Sequence, residues 1–274
     1  MLKYLKLLTI TIFLSGAIAD ISYVTSINSK DFQKILSIAD QDTLIVVAID
    51  NNLILPKAKM FNFMGSPYKN FIIDLIKQAP SKPYLYKPIT TWFNDRQIML
   101  VENSWPEFLN KLKSTRSRIF GLSKIDPSIY EILKDPEDKE YRELKSLGIQ
   151  FTDQVTGKHL IDLASNQGRH GLFYQGIIFA GPFSISKILT EFLRVTTLMP
   201  RKIIYVDSNL NNIKQLEYHL RTFDLTFLGI NYLAISQYNY LPNKEIVELQ
   251  QKTLITENKW LEDDEAEAVL RKNK

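Results

Sequence analysis

The chain has 274 residues, of which 45% are hydrophobic and 23% charged, and its formal net charge is +4 at pH 7. These values are typical of a globular protein with a sizeable core, and a charge this small and scattered does not indicate nucleic-acid binding. The sequence contains no cysteine, which excludes disulfides, zinc–thiolate sites and thiol nucleophiles.

The amino-terminal segment has the features of an export signal. MLKYLK is a short basic region, LLTITIFLSG is an apolar region, and AIAD contains the small-x-small pattern that signal peptidase recognises. We predict a signal peptide over residues 1–19, with cleavage after Ala19, and therefore a periplasmic or secreted mature protein. An uncleaved anchor fits less well, because the apolar run is shorter than the roughly 20 residues that a spanning helix needs.

Strand and helix patterns then alternate along the chain. ISYVTSI and TLIVVAI predict strands, and the amphipathic helix SKDFQKILSIAD between them has Ser29 as its N-cap. SWPEFLNKLKS predicts a helix with a capping box of Ser104 and Glu107, and RIFGLS predicts a strand ending at Ser123. GIIFAG, SISKILTEFLRVT and PRKIIYVDS continue the alternation. This pattern favours a three-layer, doubly wound α/β fold around a mostly parallel sheet.

Two segments interrupt the alternation, at about 56–101 and 124–175. The first is rich in aromatic residues and prolines and does not predict a simple βα unit. The second contains a charged helix, DPEDKEYRELKSLGI, with Gly148 as its C-cap. We predict a single domain over residues 20–274, with both segments as cap-like insertions.

Polar side chains follow three of the predicted strands, and a lysine opens the helix before the last of them. These residues are Asp50 and Asn52, Ser123, Asp207 and Ser208, and Lys187. The carboxyl ends of parallel strands meet at one edge of a sheet, which is where ligand sites form in open α/β folds. We therefore expect these side chains to converge.

The ordered set resembles the haloacid dehalogenase-like (HAD) superfamily of phosphohydrolases. It is most similar to a family of exported bacterial HAD-like proteins whose first motif reads like Asp-Ile-Asp-Asn-Thr-Leu. The matching segments, in order, are AIDNNLI, GLSKIDP, LKSLGIQF, GIIFAG, PRKIIYVDSNLNNIKQLE and the ending DDEAEA. The resemblance covers most of the mature chain and implies a HAD-like, Rossmannoid fold.

The resemblance also implies roles for the matching residues. In the superfamily, the first Asp of the first motif attacks phosphorus, and the second acts as general acid and base. Mg²⁺ is held by the first Asp, the backbone carbonyl of the second and the Asp of the fourth motif. By position, Asp50 matches the acid/base and the carbonyl ligand, and Asp207 matches the other metal ligand. Ser123 and Lys187 match the phosphate-binding residues.

Ala48 occupies the position of the nucleophile. An alanine neither attacks phosphorus nor ligates a metal, and losing a nucleophile costs on the order of 10⁶ in rate. Asn52 replaces the Thr of the first motif and Ser208 the second acid of the fourth, so we expect the Mg²⁺ site to be weakened or lost. Asn212 is a further pocket candidate. These departures favour a catalytically impaired, phosphatase-like pseudoenzyme that binds a phosphorylated ligand or a protein partner.

Two other functions stay open. In a shifted register, Asp50 is the nucleophile, Asn52 takes the acid/base position and Ile54 the Thr position, which gives a Mg²⁺-dependent phosphohydrolase. That register keeps an attacking carboxylate, but an Asn does not shuttle a proton. The chain also fits a structural envelope protein whose pocket is vestigial.

The candidate site residues have plainer structural interpretations as well. Asp50 after a strand fits a turn or cap residue, and Ser123 fits a turn residue. Asn212 fits a helix N-cap, and Lys187 fits a solvated lysine at a helix start. Their convergence at one edge of the sheet is what favours a site.

Overall fold

A computed structural model describes most of the chain. The described residues are 19–62, 65–126, 134–152, 155, 160–166, 169–238 and 240–272. The predicted signal peptide lies outside them, apart from Ala19. Among the helices of the described ranges, none is both long and apolar enough to cross a bilayer.

The described chain forms one large sheet and one small one. The strands are β1 Ala19–Val24, β2 Thr43–Ala48, β3 Ile54–Pro56, β4 Ile98–Leu100, β5 Arg118–Ser123, β6 Leu160–Asn166, β7 Arg169–Tyr174, β8 Ile177–Phe179, β9 Lys202–Asp207 and β10 Thr226–Tyr232. The large sheet has the order β1-β10-β9-β2-β5-β8-β7-β6, and β3 pairs antiparallel with β4. Neighbours from β1 to β8 are parallel, whereas β8, β7 and β6 are antiparallel. The predicted α/β class with a mostly parallel sheet is confirmed.

Helices cover both faces of the large sheet. They are α1 Lys30–Gln33, α2 Ile35–Ile38, α3 Lys59–Asn62, α4 Phe71–Gln78, α5 Tyr86–Asp95, α6 Trp105–Lys113, α7 Pro136–Ser146, α8 Ile185–Thr196, α9 Leu210–Leu220, α10 Lys244–Glu257 and α11 Asp263–Lys272. Ile45 and Val47 of β2 share a hydrophobic cluster with α6, and Leu44 and Val46 share another with α8 and α9. Burial on both faces explains why β2 is a continuous apolar run.

Two details of the predicted helices differ from the structure. The helix predicted after Ser29 divides at Lys34 into α1 and α2, although Ser29 does cap α1. The predicted capping box of α6 is wrong, because Ser104 is in a helical conformation and makes no capping bond. The Ser104 hydroxyl accepts a hydrogen bond from Asn28 instead, and Glu107 pairs with a lysine one turn on.

The first irregular segment forms a helical unit whose core is completed by the carboxyl-terminal part of the chain. Its helices α3, α4 and α5 lie between β3 and β4 in sequence. Their apolar side chains, Met60, Leu75 and Phe93 among them, share a cluster with Val247 of α10 and with Trp260. The two ends of this cluster are more than 180 residues apart in sequence, which local patterns do not reveal.

The second irregular segment contributes α7 and the hairpin of β6 and β7. Gly148 follows α7 with φ +79°, as expected of the predicted C-cap position. The hairpin extends the large sheet beyond β8 and is not among the elements predicted from the sequence. The pairing of β6 with β7 has a register shift between Asp162 and Ala164, which breaks the alternation of inward and outward side chains that marks a strand in sequence.

Gly121 lies in β5 where the side chains of Phe151 and Ile49 approach the strand. A Cβ at this position would lie 2.6 Å from Cε2 of Phe151 and 3.0 Å from Cδ1 of Ile49. We expect Gly121→Ala to lower the free energy of unfolding by about 1–3 kcal/mol, the usual cost of overpacking a core. Urea denaturation measures this, and combining the change with Phe151→Leu should recover part of the loss. A single variant as stable as the wild type would contradict the packing described.

Candidate functional site

The strands that carry the predicted site residues end side by side. β2 pairs in parallel with β9 on one side and with β5 on the other. Ala48, Asp207 and Ser123 are the last residues of these three strands, so they lie at the same edge of the sheet. We call the ends of β2, β5 and β9, with the loops that follow, the carboxyl edge. The predicted convergence is therefore present at the level of the backbone.

The loop after β2 is closed tightly by its own backbone and by one amide. The N–H groups of Asn52 and Leu53 donate to the carbonyl of Ile49 at 3.2 and 2.9 Å, and Asn51 adopts a left-handed conformation with φ 63°. The Asn52 side chain is buried, and its Nδ2 donates to the backbone carbonyl of Asp50 at 2.8 Å. Asn52 therefore shapes the loop, and it uses the carbonyl that the resemblance assigns to a metal.

The Asp50 carboxylate is reached by water and yet surrounded by protein. Its side chain is exposed at the carboxyl edge. Desolvation by the surrounding protein raises the pKa of Asp50, and the Arg96 guanidinium and the backbone N–H of Lys124 counter this in part. The negative charges of Glu143 and Asp207 raise the Asp50 pKa further. These features place Asp50 among charged groups at the carboxyl edge, and we refer to this region as the recess.

The Asp207 carboxylate is buried and accepts hydrogen bonds from three neighbouring donors. Its Oδ1 accepts from the backbone N–H of Asn209 at 2.8 Å. Its Oδ2 accepts from the Tyr205 hydroxyl at 2.5 Å and from Nδ2 of Asn212 at 2.8 Å. Burial raises the pKa of Tyr205 well above its ordinary value, so the hydroxyl stays a donor. These three bonds use three of the roughly four lone-pair sites of a carboxylate, and the remaining site is on Oδ1.

The segment after β9 is organised by a second set of polar contacts. Asn209 caps α9, since its side chain accepts from the N–H of Asn211 at 3.0 Å, and the interpretation of Asn212 as the cap is wrong. Ser208 is half-buried, and its carbonyl accepts from Nδ2 of Asn231 at 3.0 Å. Asn212 and Ser208 therefore support Asp207 and its loop.

Two lysines lie near the carboxyl edge, and they are placed differently. Lys187 is in the first turn of α8, with its ammonium 4.5 Å from the centre of the Phe183 ring. Lys124 follows β5 directly, is exposed, and interacts electrostatically with Asp207. Partial burial lowers the pKa of Lys124, and Asp207 counters the effect. Lys124 is not among the residues predicted for the site, although its place next to the strand-end Ser123 is an available signal.

A buried carboxyl group lies beneath the carboxyl edge. Glu140 of α7 is 0% exposed, and within the described residues neither carboxyl oxygen has a hydrogen-bond partner. Desolvation raises the pKa of Glu140 well above its usual range, and Asp50 raises it further. The nearby Ser123 hydroxyl and the Arg96 guanidinium oppose the shift, but Ser123 does not reach hydrogen-bonding geometry. A buried carboxylate without a partner is very unfavourable, so this environment favours the protonated form of Glu140.

Ser123 is also fully buried. Its hydroxyl oxygen accepts from the N–H of Ile125 at 3.1 Å, and it lies on the Glu140 side of the strand end. The resemblance assigns Ser123 to direct phosphate binding, but the structure encloses this side chain. Asp50, Lys124 and Lys187 are exposed, whereas Ser208 and Asn212 are half-buried.

An ion pair joins the two irregular segments beside the recess. Nη2 of Arg96, at the end of α5, lies 3.0 Å from Oε2 of Glu143 on α7, and both side chains are at most 10% exposed. Lys139 also pairs with Glu143, and the Arg96 guanidinium lies over the rings of Trp92 and Phe93 at 4.9 and 5.1 Å. A polar cavity of about 390 Å³ adjoins this pair. Its lining residues are Asn94, Lys139, Arg142, Glu143 and Ser146.

The carboxyl edge offers fewer oxygen ligands than the magnesium site that the resemblance implies. Mg²⁺ requires near-octahedral oxygen ligands, usually including carboxylates with free lone pairs. Ala48 has no side-chain oxygen, and the Asp50 carbonyl accepts the Asn52 amide with one of its two lone pairs. The Asp207 carboxylate accepts three hydrogen bonds from protein groups. The missing carboxylate and these hydrogen bonds leave few free oxygen ligands among these residues.

Fold and site together define an α/β protein with a mostly parallel eight-stranded sheet and a charged recess at the ends of its central strands. A family model described as "Protein of unknown function (DUF2608)" matches residues 25–267, and the chain belongs to this family.

Curated relatives come from Rickettsia. The chain is 32% identical over 247 residues to "Uncharacterized protein RP296" of Rickettsia prowazekii (strain Madrid E), with 90% of each chain covered. It is 22% identical to "Uncharacterized protein RP295" of the same organism, over 84% of this chain and 80% of the relative. It is 21% identical to "Uncharacterized protein RT0286" of Rickettsia typhi (strain ATCC VR-144 / Wilmington), over 84% of this chain and 80% of the relative.

Proposed function

We propose that this protein is an exported, HAD-like phosphatase relative that has lost catalysis and binds a phosphorylated ligand in the recess of the carboxyl edge. The observation that supports this most is the position of Ala48. It ends the central strand, between the strands that end in Asp207 and Ser123, where the resemblance requires a nucleophilic carboxylate. With no attacking group at that position, the recess can hold a phosphoryl group without cleaving it.

The order of the strands supports a doubly wound arrangement. From β2 the chain moves to β5 and then β8 on one side, and it returns to β9 and β10 on the other side of β2. The connection through α6 packs on one face of the sheet, and α8 and α9 pack on the opposite face. The direction of winding changes between β2 and β9, and ligands bind at such a switch point in open α/β sheets. Ala48 and Asp207 end the two strands that flank it.

The phosphohydrolase alternative meets an obstacle at Asn52. With Asp50 as nucleophile, Asn52 would have to act as acid and base, and an amide does not titrate. The Asn52 side chain is also buried and bonded to the loop backbone. The recess is therefore better suited to binding than to turnover.

Turnover and phosphate binding by the chain from residue 20 onwards test the proposal. We expect p-nitrophenyl phosphate hydrolysis with Mg²⁺ to be no faster for the wild type than for Asp50→Ala. Inorganic phosphate should raise the unfolding free energy, by about 2.7 kcal/mol at roughly 100 times Kd. Asp50→Asn should tighten phosphate binding, because it removes a negative charge from the recess.

Asp42→Asn is the matched control for phosphate binding. Asp42 is an exposed acid that precedes β2, at the opposite end of the strand from Asp50. We expect this change to leave phosphate binding unaltered. Turnover that Asp50→Ala abolishes would favour the phosphohydrolase instead, and neither turnover nor binding would favour the structural envelope protein.

A further inference from the structure

Of the three oxygen groups that the resemblance assigns to a divalent metal, one is absent and the other two already accept hydrogen bonds. Position 48 is an alanine, and the Asp50 carbonyl accepts an amide proton from Asn52. The Asp207 carboxylate accepts from a hydroxyl, an amide and a backbone N–H. A phosphoryl group in the recess would still need a positive charge, since Asp50 and Asp207 both lie close by.

Lys124 is placed to supply that charge. It directly follows the last residue of β5, and its backbone N–H is directed at the Asp50 carboxylate. Its side chain is exposed, and its ammonium interacts electrostatically with Asp207. Within the part of the chain that the structure describes, this ammonium closes no direct ion pair. The charge is therefore available to a ligand that enters from solvent.

The Asp207 carboxylate near Lys124 is already bonded to three other donors. Tyr205, Asn212 and the N–H of Asn209 use three of its roughly four lone-pair sites. Lys124 interacts with Asp207 electrostatically, and the described residues show no direct ion pair between the two. An ammonium on a flexible stem is a common phosphate-binding group, which acts as a point charge and needs no fixed coordination geometry.

We propose that the Lys124 ammonium takes the place of the divalent cation at the carboxyl edge, so that the recess binds a phosphomonoester group without metal. The inference rests on the proposed phosphate-binding function and adds to it the cation and the metal independence. It assigns to Lys124 the charge-neutralising part that the resemblance gives to Mg²⁺. Lys187 has a different environment, because its ammonium lies on the Phe183 ring at the start of α8.

Calorimetric titration of the purified protein with inorganic phosphate tests this, once with EDTA and once with MgCl₂. We expect the same affinity in both buffers. Lys124→Gln, which removes the charge and keeps most of the length, should weaken binding at least tenfold. Lys124→Arg, which keeps the charge, should stay within about threefold of the wild type. Circular dichroism and thermal unfolding verify that each variant is folded, as expected for a change at an exposed side chain.

Lys113→Gln is the matched control, because Lys113 is an exposed lysine at the end of α6. We expect it to leave the phosphate affinity unchanged. Binding that disappears in EDTA would overturn the inference and leave the phosphate-binding function in place. Equal phosphate affinities for the wild type and Lys124→Gln would also overturn the inference, and so would a loss of phosphate affinity in Lys187→Gln instead. A wild type that binds no phosphate in either buffer would overturn the proposed function, and this inference with it.

Discussion

Glu140→Gln is expected to make the protein more stable than the wild type at neutral and alkaline pH, by an amount that grows with pH. Glu140 is fully buried beneath the carboxyl edge, and its carboxyl oxygens have no hydrogen-bond partner within the described residues. Desolvation, and then the charge of Asp50, raise its pKa well above the ordinary value of 4.5. A glutamine has nearly the same shape and cannot ionise, so the variant avoids the cost of a buried charge.

The direction of the effect follows from where the proton binds more tightly. Between the unfolded and the folded pKa of Glu140, the folded chain holds a proton that the unfolded chain releases. The stability that this proton contributes is fully present below the unfolded pKa, near 4.5, and is lost as the pH rises to the folded pKa. Across that window the wild type loses about 1.4 kcal/mol per pH unit from this group, and the glutamine variant does not.

Urea denaturation of both proteins from pH 4.5 to pH 8.5 measures the difference. Burial raises the pKa of Glu262 too, but that residue is present in both proteins and cancels in the comparison. Glu267→Gln, an exposed change on α11, serves as the control and should change stability by less than about 0.5 kcal/mol at every pH. Parallel stability curves for Glu140→Gln and the wild type would mean that Glu140 is not desolvated as the structure has it.

The central architecture could be predicted because it depends on local patterns. β2 is a short β-branched run that is buried on both faces, and such runs are typical of parallel strands. The strands that end at Ala48, Ser123 and Asp207 are apolar runs with polar residues at or soon after their ends, so the sequence alone locates those ends. Parallel strands bring their carboxyl ends to one edge, so the position of the site followed from the strand assignments.

The side chains that give the site its charge could not be assigned in the same way. Glu140 lies in a charged helix that suggests a solvated surface, but Pro136, Glu140 and Leu144 recur every four residues on its buried face. That spacing was the available signal. Arg96 reaches the site only because α5 and α7 pack together, which is a tertiary contact between two segments that lack clear local patterns.

The accessibility of individual residues also differs from the prediction. Ser123 was expected to bind phosphate directly, but the loop after β5 and α7 enclose it. Asn52 was treated as a substituted pocket residue, and it instead fastens the loop after β2 through the Asp50 carbonyl. Motif position predicts which strand end carries a residue, whereas burial depends on the insertions that cover it.

Arg96→Met is expected to destabilise the protein by about 3 kcal/mol, because it leaves a buried carboxylate with one fewer cation. Arg96 and Glu143 are 8% and 10% exposed, and removing one partner of a buried pair typically costs about 3–5 kcal/mol. Lys139 also pairs with Glu143, so we expect the loss of unfolding free energy to lie at the lower end of that range. The Arg96 charge also favours the ionised forms of Asp50 and Glu140, so the loss should increase as the pH rises.

A double-mutant cycle with Arg96→Met, Glu143→Met and the double variant isolates the contribution of the pair. We expect urea denaturation to give a coupling energy above about 1.5 kcal/mol for this pair. The double variant should be more stable than the Arg96 single variant, because a buried ion pair is often replaced by apolar groups at little cost in stability. Arg271 and Glu267 provide the control cycle, because they lie 2.6 Å apart but are 75% and 50% exposed. That pair should couple by only about 0.2–1 kcal/mol. Equal coupling in both cycles would show that α5 and α7 are not held together by a buried ion pair, and that the recess is more open to water than its burial implies.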